Sequence, residues 1–144
     1  MTKLTPHFSL AEMTRTSTGY DNTPATREHM DNLRYTAEMM ERVREVLGNR
    51  PITVTSAYRS PAVNRAVRGS TTSAHCLGFA VDFVCPSFGT PYDICKALSE
   101  AGIPFDQIIH EKRRWVHIGF GPRRRHQLLT LPPHGRRYLA GLYE

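Results

Sequence analysis

The sequence predicts an α+β domain in which helices flank a small antiparallel sheet. Three observations lead there: one long amphipathic stripe between residues 23 and 48, several short β-branched or alternating segments, and an order of elements that does not alternate strictly. A doubly wound parallel fold would need that alternation. With 144 residues, 40% hydrophobic and 22% charged, the chain has ordinary globular composition and excludes a fibrous or disordered protein. We expect one domain over residues 1–144, with its core at about 7–129 and a basic C-terminal extension over 121–144.

The first helix is expected to start at Thr23-Pro24, a capping hydroxyl followed by proline at the first helical position, and to stop at Gly48. Between them Met30, Leu33, Ala37, Met40, Val43 and Leu47 recur every three or four residues, the spacing of a buried helix face. Ile52 to Ala57 is short and β-branched and reads as a buried strand. Ser60-Pro61 repeats the cap-and-proline signal for a short helix to about Val67, ended by Gly69.

Ser70 to Ser73 is a small-residue loop, and Phe79 to Val84 a strand with Ala80, Asp82 and Val84 on one face. Thr90-Pro91, with Asp93 placed for a capping box, opens a helix that Gly102 and Pro104 close. Gln107 to Glu111 and Arg114 to Phe120 are expected to pair as a hairpin across Lys112 and Arg113.

The formal charge is +6 and the sequence pI about 9.6, so an acidic partner is expected. From Gly121 to Glu144, five arginines (Arg123, Arg124, Arg125, Arg136 and Arg137) face one acid, Glu144, and this stretch carries +4 of the +6. It reads as a solvated basic tail. Cys76, Cys85 and Cys95 form no Cys-x-x-Cys pair, and an odd number argues against a closed disulfide framework, so they read as free packing thiols. No secretory signal and no spanning segment is recognised, so synthesis in the cytoplasm is expected.

Chemistry concentrates in Ser73-Ala74-His75-Cys76-Leu77-Gly78-Phe79-Ala80-Val81-Asp82, with Trp115-Val116-His117 downstream. Two imidazoles and a carboxylate supply three ligands for one zinc ion and leave a fourth position for water, the arrangement of a hydrolytic site. Asp82 in a buried strand needs an opposite charge, because burying an unpaired carboxylate is costly. Gly78 would let the backbone turn tightly between His75 and the strand.

Ser-x-His-x-x-Gly-x-Ala-x-Asp followed by Trp-x-His resembles the signature of the zinc D-alanyl-D-alanine carboxypeptidases, a group that includes phage endolysin peptidases and vancomycin-resistance dipeptidases. Tyr58-Arg59-Ser60-Pro61, Phe105-Asp106-Gln107, Asp21-Asn22-Thr23-Pro24 and the His7 to Met13 segment extend the likeness, which is closest to the phage branch. The resemblance implies zinc held by His75, Asp82 and His117. It also implies that Arg59 binds a substrate carboxylate or the carbonyl oxygen where charge builds, a role that suits a fixed fork of donors. Ser73 and Trp115 resemble substrate-contacting positions, with loop capping the other reading for Ser73.

Relatives place an acid three residues before the last histidine, and here Arg114 stands there, which cannot accept a proton. Glu111 is the expected general base, His110 the alternative, and a surface glutamate paired with Lys112 or Arg114 the rival reading.

The function so implied is hydrolysis of a peptide bond in peptidoglycan stem peptides, as an L,D- or D,D-endopeptidase or a D,D-carboxypeptidase. The protein would act on the wall after release, as a monomer, with the basic tail drawn to anionic envelope components. A zinc-containing wall-binding module that has lost hydrolysis is the alternative. Nucleic-acid binding through the arginines would leave the metal triad unexplained.

Overall fold

The computed structural model describes residues 2–144. Strands β1 (Lys3–Thr5) and β2 (Phe8–Ser9) form a small antiparallel pair, followed directly by the single-turn helix α1 (Leu10–Met13). Ser9 and Glu12 make a reciprocal capping box there, while Phe8 and Met13 enter the core. The His7–Met13 segment is thus structural: His7 binds Glu41, and Met13 O accepts from Tyr58 N.

Helix α2 (Arg27–Val46) buries Leu33, Ala37, Met40 and Val43 as the stripe predicts, with Thr36 and Met39 joining them. Its cap is Thr26 rather than Thr23. Asp21 captures both the backbone N–H and the hydroxyl of Thr23 in a local turn, and Ala25 N donates to the Tyr58 hydroxyl, so the helix starts one threonine later.

Strand β3 (Thr53–Ser56) lies at the sheet edge with only Val54 buried, so it is not the fully buried strand expected. Helix α3 (Pro61–Ala66) is capped by Ser60 as predicted, but Arg68, at φ +58°, and not Gly69 takes the left-handed position after it. A 3-10 turn (Ala74–Leu77) leads into β4 (Ala80–Val84). Helix α4 (Pro91–Glu100) has the predicted Thr90/Asp93 capping box.

Strands β5 (Gln107–Glu111) and β6 (Trp115–Gly119) form the expected hairpin. Its turn extends through Arg114, with Lys112 and Arg113 at φ +53° and +58°. Such left-handed residues match the twist of paired strands.

The segment expected to be a tail instead adds two strands, β7 (Gln127–Leu131) and β8 (Leu139–Ala140). The six-stranded sheet has the order β3-β4-β6-β5-β7-β8 and is antiparallel except where β7 runs parallel to β5. Arg125 makes two side-chain bonds of 2.9 Å to Asp106, fixing the approach to β7, and Gln107 donates to Gln127 across the parallel pair. Phe105-Asp106-Gln107 is therefore a docking point for the C-terminal strands.

Val81, Phe83, Ile108, Val116 and Ile118 share a core with the apolar faces of α2 and α4. Cys85 and Cys95 are buried free thiols and Cys76 is half-buried, as expected; burial pushes the Cys95 thiol up to about 12. No helix of the described residues is long and apolar enough to cross a membrane.

Candidate metal centre

The other face of the sheet carries the predicted triad. Asp82 on β4 is directly opposite His117 on β6, and directly opposite residues of an antiparallel pair project to the same side. His75 arrives from the 3-10 turn. The candidate ligand atoms of these three residues lie within 4.8 Å of one another: His117 Nδ1 is 2.9 Å and His75 Nε2 3.3 Å from Asp82 Oδ1.

The turn that carries His75 is held from both sides. Ser73 Oγ accepts from His75 N, so the serine caps the turn. Gly78 ends it at φ +87°, where a Cβ would come within 2.8 Å of His29 O on α2. Asn32 donates to Leu77 O and Thr36 to Gly78 O, so α2 serves as a rigid backing for the loop. Here the glycine is required twice, by backbone conformation and by close approach.

His75 Nδ1 lies 2.7 Å from Ala57 O. A carbonyl only accepts, so Nδ1 carries the proton and Nε2 is left to face Asp82 and any metal. Burial first, partly offset by Asp82, lowers the His75 pKa and favours the neutral imidazole that a metal ligand must be. Asp82 is 6% exposed, and burial alone would raise its pKa. The charges and hydrogen bonds of His75 and His117 outweigh that and hold the carboxyl well below the usual range. A buried, ionised carboxylate between two imidazoles fits a divalent cation, since it supplies charge, hard oxygen and borderline nitrogen together.

Arg59 approaches from the β3–α3 connection, with Nη2 3.5 Å from Asp82 Oδ2. Its Nε donates to Ser56 Oγ and its Nη1 lies 3.4 Å from Asn64 Oδ1. Gly69 makes this possible, because a Cβ there would overlap Asn64 Oδ1 at 2.0 Å. Asn22 holds the same connection by bonding Thr14 O, Tyr58 O and Ser60 N. Ser56, Asn64 and Gly69 carry no motif of their own, and Asn22 was visible only within Asp-Asn-Thr-Pro.

Register puts the two candidate bases on opposite faces of the sheet. Glu111 is opposite Trp115, two residues from His117 on the same strand, so both lie on the metal face. Glu111 is buried, at 8% exposed, while Lys112 and Arg114 are exposed, which rules out a surface ion pair as its setting. Burial raises its pKa first; His117, Lys112 and Arg59 pull it down and Asp82 pushes it up. His110 points the other way, with Nδ1 2.7 Å from Tyr143 O and its ring against Tyr92 of α4. Trp115 lies on the metal face with its indole N–H buried and without a hydrogen-bond partner among the described residues. Arg114 is exposed.

Two imidazoles and one carboxylate that fit a single metal ion, on a sheet face that also carries a buried carboxyl and an arginine, are the donor set of a mononuclear metallohydrolase. Residues 6–119 match the family model described as Peptidase M15, and the chain belongs to that family. It is a zinc metallopeptidase, and His75, Asp82 and His117 fit the single zinc site. No curated protein matches the chain.

Proposed function

We propose that this peptidase hydrolyses a peptide bond in peptidoglycan stem peptides, as an endolysin-like endopeptidase or a D,D-carboxypeptidase, with Glu111 as general base. The observation that carries this reading is the burial of Glu111 on the triad's face, which raises its carboxyl pKa above the ordinary value, the direction that makes a carboxylate a better base. Zinc, when bound, polarises a carbonyl and lowers the pKa of coordinated water toward about 7.

Around it, Glu111 accepts a proton from the attacking water and returns it to the leaving amine. Arg59, preset by Ser56 and Asn64, donates to the oxygen on which negative charge grows or to a substrate carboxylate. Trp115 offers an aromatic surface beside the scissile bond, and Ser73 a hydroxyl at the rim in addition to its cap. The exposed arginines Arg123, Arg124, Arg136 and Arg137 attract the molecule to anionic envelope polymers, with action on the wall after release.

The test is release of new amino groups from purified peptidoglycan, with zinc measured on every sample. Wild type should cleave, whereas chelation and Glu111→Ala should each abolish cleavage, the variant by about 10²- to 10⁴-fold with its zinc retained. Arg114, where relatives carry an acid, motivates one rival: wild type that holds zinc yet releases nothing across pH and wall types would be a binding module.

A further inference from the structure

The family match ends at residue 119, but the sheet continues into β7 and β8. Glu111 is in register with Leu131 on β7, and β7 pairs with β8 at Thr130 opposite Leu139. Continuing that antiparallel register by one step puts Tyr138 opposite Leu131. Trp115, Glu111, Leu131 and Tyr138 therefore form one row across four adjacent chain segments, all projecting to the metal face.

We propose that the β7–β8 hairpin forms the second wall of the substrate cleft and that the Tyr138 hydroxyl positions the peptide by hydrogen-bonding one of its carbonyl or carboxylate oxygens. This rests on the peptidase reading above and adds a residue outside the segment that carries the family's pattern. Two strand spacings, about 10 Å, separate the backbones of Glu111 and Tyr138, with β7 between them. Leu131, 8% exposed, stands between them on that face as an apolar neighbour that suits a small side chain such as an alanyl methyl.

Tyr138 is 51% exposed, so its ring and hydroxyl are accessible to a ligand. Burial first, then the negative charges of Glu111 and Asp82, raise the phenol's pKa against the opposing pull of Arg59, so the ring lies within electrostatic reach of three groups of the site. The phenol thus stays protonated and is a hydrogen-bond donor toward a substrate oxygen at neutral pH.

The experiment compares zinc-loaded wild type, Tyr138→Phe and Tyr138→Ala on muropeptides released from purified peptidoglycan by a muramidase. It reads KM and kcat, calorimetric affinity for the same muropeptides, and zinc content. Tyr138→Phe should raise KM and weaken affinity about five-fold, the effect of one neutral hydrogen bond, with kcat within about two-fold and zinc unchanged. Tyr138→Ala should lose more affinity, because the ring wall goes with the hydroxyl. If wild type binds and cleaves while Tyr138→Phe equals it in both, this inference alone falls. If wild type neither binds nor cleaves the muropeptides, it falls together with the proposed function.

Discussion

The two faces of the central sheet are made from alternate residues of the same strands, yet they treat polar groups in opposite ways. Toward α4, Val81, Phe83, Ile108, Val116 and Ile118 are fully buried, and the polar residue among them, His110, bonds the Tyr143 carbonyl. One residue along each strand, the other face buries Asp82 and Glu111 beside His117. A core would not keep such carboxyls without compensation, so this face gives up packing stability for chemistry. A shift of one residue in register would exchange the two roles, which is why the pairing of β4, β6 and β5 matters more to this site than any single contact.

The sharpest way to break the comparison is Asp82→Ala. Zinc content should fall to near zero and turnover by on the order of 10³-fold or more, since several kcal/mol of transition-state stabilisation go with the metal. Metal analysis beside a peptidase assay checks it, and a variant that keeps both zinc and turnover would remove Asp82 from the site. On the opposite face, Ile108→Ala should cost about 2–5 kcal/mol of unfolding free energy while the folded protein still binds one zinc. Denaturant unfolding and zinc stoichiometry read the two separately, and zinc loss without destabilisation would contradict the division of labour.

The smallest effect expected concerns Glu111 in metal-free protein. Its folded pKa is raised above the ordinary 4.5, so the folded state holds that proton more tightly than the unfolded chain. Its contribution is therefore fully present below about 4.5 and is lost as pH rises through the folded value. Glu111→Gln should melt above wild type at neutral pH, with the gap closing as the pH falls below that window. Equal melting temperatures at both ends would mean that burial of Glu111 carries no stability cost.

What was legible in the sequence was local. Ser60 and Thr90 were found as caps because cap, proline and helix are neighbours in sequence. His75, Asp82 and His117 were found because their spacing is a pattern in itself. Thr23 misled because Asp21, two residues away, competes for it, and the Tyr58 hydroxyl that engages Ala25 lies far along the chain. Strands β7 and β8 were missed for a similar reason. Gln127 to Leu131 sits in an arginine-rich stretch, and the Asp106–Arg125 and Gln107–Gln127 bonds that dock it are about twenty residues apart. That His110 and Glu111 lie on opposite faces needed the register, since adjacent residues on a strand differ only in the face they occupy.

The parallel union of β7 with β5 has one more consequence, for solubility. Without β7, β5 would become the rim of the sheet, with the outward N–H and C=O groups of Gln107 to Glu111 bare over a segment containing Ile108 and Ile109. Such a rim is a template on which a second chain can add a strand, the first step of aggregation. Residues beyond the family's matched segment therefore also act as a guard strand, and trimming the protein at residue 119 would invite self-association before it altered any zinc ligand.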